Sequence, residues 1–532
     1  MTADYADGTD EFIKGYTSPF DKEAPMSLYN LTLYDIINRN ARLYPDRPAW
    51  REAESEQVMT FAAYKTAVDR CAAGLLAKGF QKGDRLGVIG KNSLAYVVLY
   101  GAAAALGGIL VGINWRLSAD EMAYNLKDVQ ACFVFADDDD PALMAAVKSK
   151  LENSVQWFSL QFQDGAFAQL SHDPVSAAPL PSQRVSWDDG LVIIHTAAVS
   201  GRPRGALLSH GNLLCADVQL MHQVGISASD VLLNPLPLFH IAGLGMAFCC
   251  FHAAALNILM PKFDPAQAVA LIAKHKVTLL FAFAPMMQQL LGEVEKSGGD
   301  ITSLRAVLGI DRPEIIDRYQ KLTGGSFYSL FGQTETSMVV TMSKFSERPG
   351  SAGRPIPLVE VQLMDDDDQP VAQGQAGEIA VRGPMVFKGY WGLEAENAHT
   401  FRNGWHHTGD LGRFDADGYL WYVARKAEKE LIKPGGENVY PAEVEKVILE
   451  HPAVAAVVVF GVPDPKWGEG IKAVCKLKTG QPLTAQELID FVGSRIARYK
   501  KPQYVEFVEA LPTLANGDVD RVKAKKMFGG RG

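Results

Sequence analysis

The sequence predicts an α/β protein with a large N-terminal domain of parallel or mixed sheets and flanking helices, a small β-rich subdomain, and a small α+β C-terminal domain. Strand-like apolar runs alternate with helical patterns through the first 300 residues. Turn sequences become frequent after about residue 345, and the composition changes again at 424–438. A chain of 532 residues that is 48% hydrophobic is long enough to bury more than one core.

Short apolar runs in the first 300 residues have the length and the β-branched or aromatic content of buried strands. They are RLGVIG at 85–90, CFVFA at 132–136, LVIIH at 191–195 and VTLLFAF at 277–283. The segment 93–115 carries no charge and is long enough to span a membrane. Because Gly107 and Gly108 interrupt it, we interpret it as a core helix followed by a parallel strand.

The remainder of the chain divides into two smaller units. Turns such as GSAGRPIP, RNGW and DADGY separate short strands and predict the β-rich subdomain at about 345–425. Beyond the charged stretch, a helix (PAEVEKVILEH), a strand (AAVVVF) and a helix (TAQELIDFVGSRIARY) predict a separate domain. We therefore place the domain boundary between 1–428 and 429–532.

Charge and cysteine usage exclude several classes of protein. The net charge is −9, from 61 acidic and 52 basic residues, and no basic block stands out. The chain is therefore not expected to bind nucleic acid or a membrane surface. The six cysteines show neither C-x-x-C nor zinc-like spacing, and the acidic start MTADYADGTDEF is unlike a signal peptide. We expect a soluble, cytoplasmic protein in a reducing compartment.

Six motifs occur in a fixed order: PLFH (237–240), FGQTE (331–335), GYW (389–391), GWHHTGD (404–410), GGENVYPAEVE (435–445) and YKKP (499–502). From about Leu31 to Met527, this set resembles the adenylate-forming (ANL) superfamily, in its acyl-CoA synthetase and aryl-CoA ligase branch. The resemblance implies that an acid and ATP give an acyl-adenylate and pyrophosphate. A thiol, usually that of CoA, then displaces AMP, and a mobile C-terminal domain rotates between the two steps.

The resemblance assigns Phe331 to the adenine, Thr334 to the α-phosphate, Asp410 to the ribose hydroxyls and Arg425 to ribose or phosphate. These residue types supply hydroxyl donors and an ionised acceptor. Taken alone, Asp410 is equally typical of a turn, and Arg425 of a solvated face. Glu335 would ligate Mg²⁺ if ATP is used. The implied AMP-binding set is Phe331, Gly332, Thr334, Asp410, Tyr422 and Arg425.

The resemblance also implies a route for the thiol. His240 would gate the junction of acyl pocket and thiol tunnel, although a buried core histidine is the alternative. Gly435 and Gly436 would line the pantetheine tunnel, where glycine permits a close approach of the backbone. The implied catalytic set is His240, Gly436 and Thr334, with the hinge at Lys429. Lys500 and Lys501 are candidates for the CoA phosphates or a solvated basic pair. The acyl pocket would comprise Phe239, His240, Leu244, Phe283 and Gly332, which suits a bulky hydrophobic acid.

The chain departs from the family pattern in its phosphate loop. The family sequence T-S-G-T-T-G-x-P-K-G corresponds to Thr196-Ala197-Ala198-Val199-Ser200-Gly201-Arg202-Pro203-Arg204-Gly205 here. A hydroxyl donates to the outer phosphates in such a loop, and glycine lets the backbone wrap them. The branched side chain of Val199 does neither, and Arg204 replaces the lysine. We expect this degenerate loop to be structural.

A second departure is larger. The family motif P-x-x-x-x-G-K ends in the lysine that bridges the substrate carboxylate and the α-phosphate, whereas this chain has Asp518 at that position. A carboxylate facing a carboxylate and a triphosphate is repulsive. Features for the outer phosphates of ATP are therefore lost, while those for AMP and for CoA remain.

Three hypotheses follow from this pattern. The first is an enzyme without adenylation activity that converts acyl-AMP and CoA to acyl-CoA and AMP, as a thiol that is partly thiolate can do. Its substrate would come from a partner adenylating ligase, as in secondary metabolism, and no tightly bound cofactor is expected. The second is a complete ligase, for which Arg204 and other donors compensate and ATP and Mg²⁺ are needed. The third is a non-catalytic protein that binds adenylates.

Overall fold

The structure is a computed structural model that describes residues 30–137, 139–161, 185–196, 203–426, 431–465, 467–514 and 519–530. Within these residues the strands form four sheets. Two large sheets and the helices that cover them make up the N-terminal domain, a four-stranded sheet follows, and the last sheet belongs to the C-terminal domain. The predicted α/β fold class is confirmed.

A nine-stranded sheet has the order β15-β14-β13-β12-β11-β9-β10-β1-β2. Its six central strands run parallel, and β2, β14 and β15 are antiparallel additions at the edges. Its strands are β1 (Pro48–Glu52), β2 (Val58–Thr60), β9 (Val231–Asn234), β10 (Leu256–Leu259), β11 (Leu279–Phe283), β12 (Ala306–Ile310), β13 (Ser326–Phe331), β14 (Thr341–Lys344) and β15 (Arg354–Pro355).

A seven-stranded sheet has the order β18-β8-β7-β4-β3-β5-β6. The run from β7 to β6 is parallel, whereas β8 and β18 pair antiparallel at one edge. The strands are β3 (Arg85–Ile89), β4 (Ile109–Ile113), β5 (Phe133–Ala136), β6 (Gln156–Ser159), β7 (Gly190–Thr196), β8 (Arg204–Ser209) and β18 (Gly389–Tyr390). All four apolar runs singled out in the sequence form strands of these two sheets.

Helices cover both sheets. The helices of this part are α1 (Leu33–Leu43), α2 (Phe61–Ala77), α3 (Leu94–Leu106), α4 (Ala119–Asp128), α5 (Pro141–Ser149), α6 (His210–Val224), α7 (Ile241–His252), α8 (Pro265–His275), α9 (Met286–Ser297), α10 (Pro313–Thr323) and α11 (Glu394–Thr400).

The uncharged segment forms α3 and β4. Ser93 caps the helix by accepting a hydrogen bond from the backbone N–H of Tyr96, and Gly107 ends it with a φ of 67°. All 13 residues of α3 are buried within the protein core. In the described part of the chain, no helix is both long and apolar enough to cross a membrane.

The two smaller sheets lie in the second half of the chain. An antiparallel sheet combines β16 (Glu360–Met364), β17 (Gly377–Arg382), β19 (His406–Phe414) and β20 (Leu420–Arg425). The C-terminal domain contains α12 (Pro441–Leu449), β21 (Val454–Asp464), β22 (Gly468–Leu477), α13 (Ala485–Gly493), β23 (Tyr504–Phe507) and α14 (Arg521–Phe528). The helix predicted to reach residue 499 ends at Gly493, since glycine is a poor helix former, and a 3₁₀ turn follows at Arg498–Lys500.

His210, the first residue of α6, makes stability depend on pH. Its Nδ1 accepts a hydrogen bond from the backbone N–H of Leu33 at 3.1 Å, and burial lowers its pKa from 6.5 to about 4. Between these values the unfolded chain binds a proton that the folded protein does not, so stability falls as the pH falls. We expect wild type to lose about 2 kcal/mol more than His210→Gln between about pH 7 and pH 5 in urea unfolding. Equal losses would contradict this assignment.

Candidate active site

The predicted AMP-binding residues lie on, or shortly after, strands of two different sheets. Phe331 ends β13, while Asp410 and Arg425 face each other in the register of β19 and β20. The rings of Phe331 and Tyr422 are 6.3 Å apart. Gly332 cannot carry a side chain, because a Cβ there would lie 1.9 Å from the carbonyl oxygen of Met338.

Asp410 receives donors from three directions. Gln333 Nε2 donates to Oδ2 at 3.0 Å, the Tyr422 hydroxyl donates to Oδ1 at 3.1 Å, and Arg425 Nε lies 3.6 Å from Oδ1. These three contacts fix the orientation of the Asp410 carboxylate. The structure thus brings together Phe331, Asp410, Tyr422 and Arg425, which the sequence separates by up to 94 positions.

Thr334 and Glu335 belong to a buried 3₁₀ turn, Thr334–Thr336, which begins three positions after the last residue of β13. The carboxylate oxygen Oε1 of Glu335 accepts hydrogen bonds from the hydroxyls of Thr196 at 3.1 Å and Tyr390 at 2.9 Å. Among the described residues, no group of three or more His, Cys, Asp or Glu side chains could hold a metal ion. If ATP is used, Glu335 would offer Mg²⁺ one protein carboxylate.

Arg204, which replaces the lysine of the phosphate loop, is engaged by neighbouring side chains. Its guanidinium lies 3.9 Å from the centre of the Tyr390 ring, and Nη2 donates to the Tyr390 hydroxyl at 3.1 Å. Nη1 forms an ion pair with Glu396 at 2.7 Å. Five other predicted positions of the loop (Ala197, Ala198, Val199, Ser200 and Gly201), together with Lys429 and Asp518, lie outside the described residues.

A cavity lies between the large domain and the C-terminal domain, and we call it the interdomain cavity. The large domain contributes apolar side chains, including Phe239, Phe283 and Met286, beside His240. The C-terminal domain contributes polar groups, including Glu437 and Asn438, together with Gly435. Of the predicted acyl pocket, Leu244 is completely buried, and neither it nor Gly332 lines this cavity.

His240 caps α7 and lines the interdomain cavity. Its Nδ1 accepts a hydrogen bond from the backbone N–H of Ala242 at 3.3 Å. Burial, with smaller contributions from the positive charges of Lys433 and Arg116, lowers the pKa of His240 to about 4. The imidazole is therefore neutral near pH 7, which suits a gating residue and not a cationic acid.

The glycine pair forms a 3₁₀ turn, Pro434–Gly436, in which Gly435 has a φ of 60°. The Gly435 N–H donates to the carbonyl oxygen of Trp467 at 3.0 Å, and a Cβ on Gly435 would lie 3.0 Å from the Trp467 ring. Trp467 itself is 41% exposed. Trp467 was not predicted from the sequence, in which its only distinguishing feature is that an aromatic residue follows a Pro-Lys pair.

Charged groups join the two domains across the interdomain cavity. Lys500 Nζ lies 2.6 Å from Glu121 Oε1 of the large domain and 2.7 Å from Glu443 Oε2 of its own domain. Lys500 is only 5% exposed. These three residues form an interdomain charge cluster, so Lys500 has carboxylate partners in place of the CoA phosphates suggested by the sequence, whereas Lys501 is half-buried.

Two other basic residues near the site were not singled out in the sequence. Arg116 forms a second interdomain ion pair, with Glu437 at 2.5 Å. Lys433 immediately precedes the Pro434–Gly436 turn, and its backbone N–H donates to Glu469 Oε2 at 2.7 Å. Neither residue lies in a motif whose chemistry is evident before folding, so only the tertiary structure reveals them.

Residues 37–391 match the AMP-binding enzyme family, and residues 443–518 match the AMP-binding enzyme C-terminal domain. The chain therefore belongs to the AMP-binding enzymes of the adenylate-forming superfamily, as its motifs predicted. Within that superfamily it lies in the acyl- and aryl-CoA ligase branch. It is 34% identical over 500 residues to a feruloyl-CoA synthase of an Amycolatopsis species, which covers 92% of this chain and 98% of that one.

Two solved structures of o-succinylbenzoate CoA synthetase from Bacillus subtilis are also similar, each at 30% identity. The structure of a double mutant bound with its product analogue OSB-NCoA has a TM-score of 0.81 and covers 93% of this chain and 99% of that one. The complex with the acyl-adenylate intermediate OSB-AMP has a TM-score of 0.68 and covers 95% and 100%. Of these two structures, the product-analogue complex has the higher TM-score.

Proposed function

We propose that this enzyme forms acyl-CoA and AMP from a preformed acyl-adenylate and CoA, and that it does not catalyse adenylation. The observation that carries the proposal is the engagement of Arg204. The loop cation is held by Glu396 and the Tyr390 ring, while hydrogen bonds from Gln333 and Tyr422 orient Asp410 as an acceptor for the ribose hydroxyls of AMP. Asp518 supports the same conclusion, since the sequence replaces the adenylation lysine by a carboxylate.

The chemistry needs little beyond positioning, because the acyl group is already activated. The CoA sulfur attacks the acyl carbon, the C–S bond forms, and the bond from that carbon to the phosphate oxygen breaks. AMP leaves with the bonding electron pair, and the thiol proton passes to a base. Asp410 would hold the ribose, Thr334 would donate to the phosphate, and His240 with Gly435 and Gly436 would shape the thiol route.

The position of the C-terminal domain supports this step of the reaction. The turn that contains Gly435 lines the same cavity as His240, as expected when a pantetheine arm passes between them. The ion pairs Lys500–Glu121 and Arg116–Glu437 hold that arrangement. The greater similarity to the complex with a product analogue agrees with it. Rotation about a hinge near Lys429 remains part of the proposal.

The acyl group is proposed to be a bulky hydrophobic acid. Phe239, Phe283 and Met286 line one side of the interdomain cavity, and apolar walls of this kind suit an aromatic ring. The similarity to a feruloyl-CoA synthase supports an aryl acid. A separate ligase would supply the adenylate in the cytoplasm, in a branch of secondary metabolism.

A pair of assays tests the proposal. Offered ferulic, indoleacetic, o-succinylbenzoic or fatty acid with ATP and Mg²⁺, the enzyme should release no pyrophosphate above background. Offered the corresponding synthetic acyl-adenylates with CoA, it should form thioester from at least one of them. Pyrophosphate release clearly above background would contradict the proposal.

The complete ATP-dependent ligase is the second candidate. Thr196 and Glu335 remain together at 3.1 Å, and Arg204 still places a cation at the loop. Pyrophosphate release with thioester formation would favour this candidate. Adenylate binding with no product in either assay would instead favour a non-catalytic protein.

A further inference from the structure

A histidine–aspartate pair places its histidine on the wall of the interdomain cavity. His195 is the penultimate residue of β7, and Asp128 is the last residue of α4. His195 Nε2 lies 3.1 Å from Asp128 Oδ2, and the histidine side chain is only 4% exposed. His195 lines the cavity together with His240 and Gly435.

The hydrogen bond to Asp128 determines which nitrogen of His195 can accept a proton. An ionised carboxylate only accepts, so Nε2 carries the hydrogen and Nδ1 of the neutral ring keeps its lone pair. In the described structure Nδ1 is buried and makes no hydrogen bond. Leaving a buried acceptor unpaired costs about 1–3 kcal/mol, which a ligand with a hydrogen to donate would offset.

A second unpaired acceptor lies in the same part of the cavity. Asn125 is 3% exposed, and its Oδ1 has no hydrogen-bond partner in the described structure. It precedes Asp128 by three positions on α4, so both side chains lie on one face of that helix. Asn125 also lines the interdomain cavity. Two orphaned acceptors on one wall indicate a ligand that brings donors, as the amides and thiol of a pantetheine arm do.

We propose that His195 is the catalytic base of thioester formation and that Asp128 is its positioning residue. The proposal rests on the thioester-forming step of the proposed function and does not depend on the loss of adenylation. The S–H proton passes to Nδ1 as the sulfur attacks the acyl carbon. The C–S bond forms, the carbon–oxygen bond to the phosphate breaks, and AMP leaves as the anion. Asp128 stabilises the imidazolium, which then returns its proton to solvent.

Other groups that line the interdomain cavity are less suited to this role. His240 uses Nδ1 to accept the Ala242 N–H, and burial keeps its pKa at about 4. The charged groups Arg116, Glu437 and Lys500 are paired across the domains, and Glu443 is paired with Lys500 within the C-terminal domain. The His195–Asp128 pair therefore has both an oriented ring and an unused acceptor.

The test measures thioester formation with synthetic benzoyl-, cinnamoyl-, feruloyl- and indoleacetyl-AMP, using the adenylate on which wild type is fastest. His195→Phe should lower kcat with CoA about 100-fold, with KM for CoA within about twofold. Asp128→Asn should lower kcat about 10-fold, as expected for a group that acts through the ring. His252→Gln removes another His–Asp pair, His252–Asp217, that does not line the cavity, and should leave kcat unchanged.

Comparing the reaction rates with thiols of different acidity distinguishes a catalytic base from a structural residue. Thiophenol is largely ionised near neutral pH and needs no base, so wild type and His195→Phe should use it at equal rates. An equal loss with CoA and thiophenol would overturn the proposal, as would a wild-type rate with CoA. If His195→Phe has a lowered melting temperature, His195→Gln replaces it under the same criteria. Absence of product from wild type with every adenylate overturns the proposed function and this role together, whereas active wild type with unaffected variants overturns this role alone.

Discussion

Replacing Asp518 by lysine, together with Ala197→Ser, Ala198→Gly and Val199→Thr, should raise the rate of pyrophosphate release at least about 100-fold. The lysine would place a cation where negative charge from the acid and the α-phosphate meets. The loop substitutions would restore hydroxyl donors and a flexible backbone for the outer phosphates. Asp410, the proposed acceptor for the ribose hydroxyls, is already oriented by Gln333 and Tyr422. The measurement is pyrophosphate release from an aryl acid, ATP and Mg²⁺.

Two controls make this result specific. Asp518→Asn removes the repulsive charge without supplying a cation, and it should raise the rate by no more than about a tenth of the full gain. Arg204→Lys in the quadruple variant tests whether the contacts of Arg204 with Glu396 and Tyr390 keep the cation of the loop away from the phosphates of ATP. A quadruple variant that binds ATP but stays inert would show that these residues do not explain the loss of adenylation.

Much of the fold could be predicted because local patterns determined it. Apolar runs bounded by turns became strands of the parallel sheets, and the uncharged segment became a helix and a strand since Gly107 ended the helix. The error at the C-terminal helix was also local. The amphipathic pattern continues past Gly493, but the helix does not, and the turn that follows brings Lys500 to the interdomain cavity.

The site could be predicted only where a motif carries the chemistry. Asp410 stands in the motif GWHHTGD, the family resemblance assigns Arg425 to the same ligand, and the structure places the two side chains 3.6 Å apart. The partners of Arg204 could not be predicted, because Glu396 lies 192 positions away. The His195–Asp128 pair could not be predicted either, because its members are 67 positions apart in segments that carry no motif for such a pair. Tertiary contacts, and not local propensity, assign these residues.

Lys500→Met should slow thioester formation about 10- to 100-fold while leaving the affinity for AMP within about twofold. Burial lowers the pKa of Lys500, but the charges of Glu443 and Glu121 outweigh it and raise that pKa above its ordinary value. The ammonium is therefore charged and joins two carboxylates from different domains. Removing one partner of a buried ionic cluster costs about 3–5 kcal/mol. Here the two carboxylates left behind repel each other and separate the domains.

The matched control is Lys446→Met, which removes an exposed lysine of α12 to which no binding role is assigned and should leave the rate unchanged. Adding Glu121→Gln to Lys500→Met removes the repulsion across the domain boundary and should restore part of the lost activity, since the two changes are coupled. Distances between spin labels on the exposed residues Lys127 and Glu450 should lengthen in Lys500→Met and shorten again in the double variant. A slowed reaction with unchanged distances would instead assign Lys500 to CoA binding, because the charge cluster would then not hold the domains together.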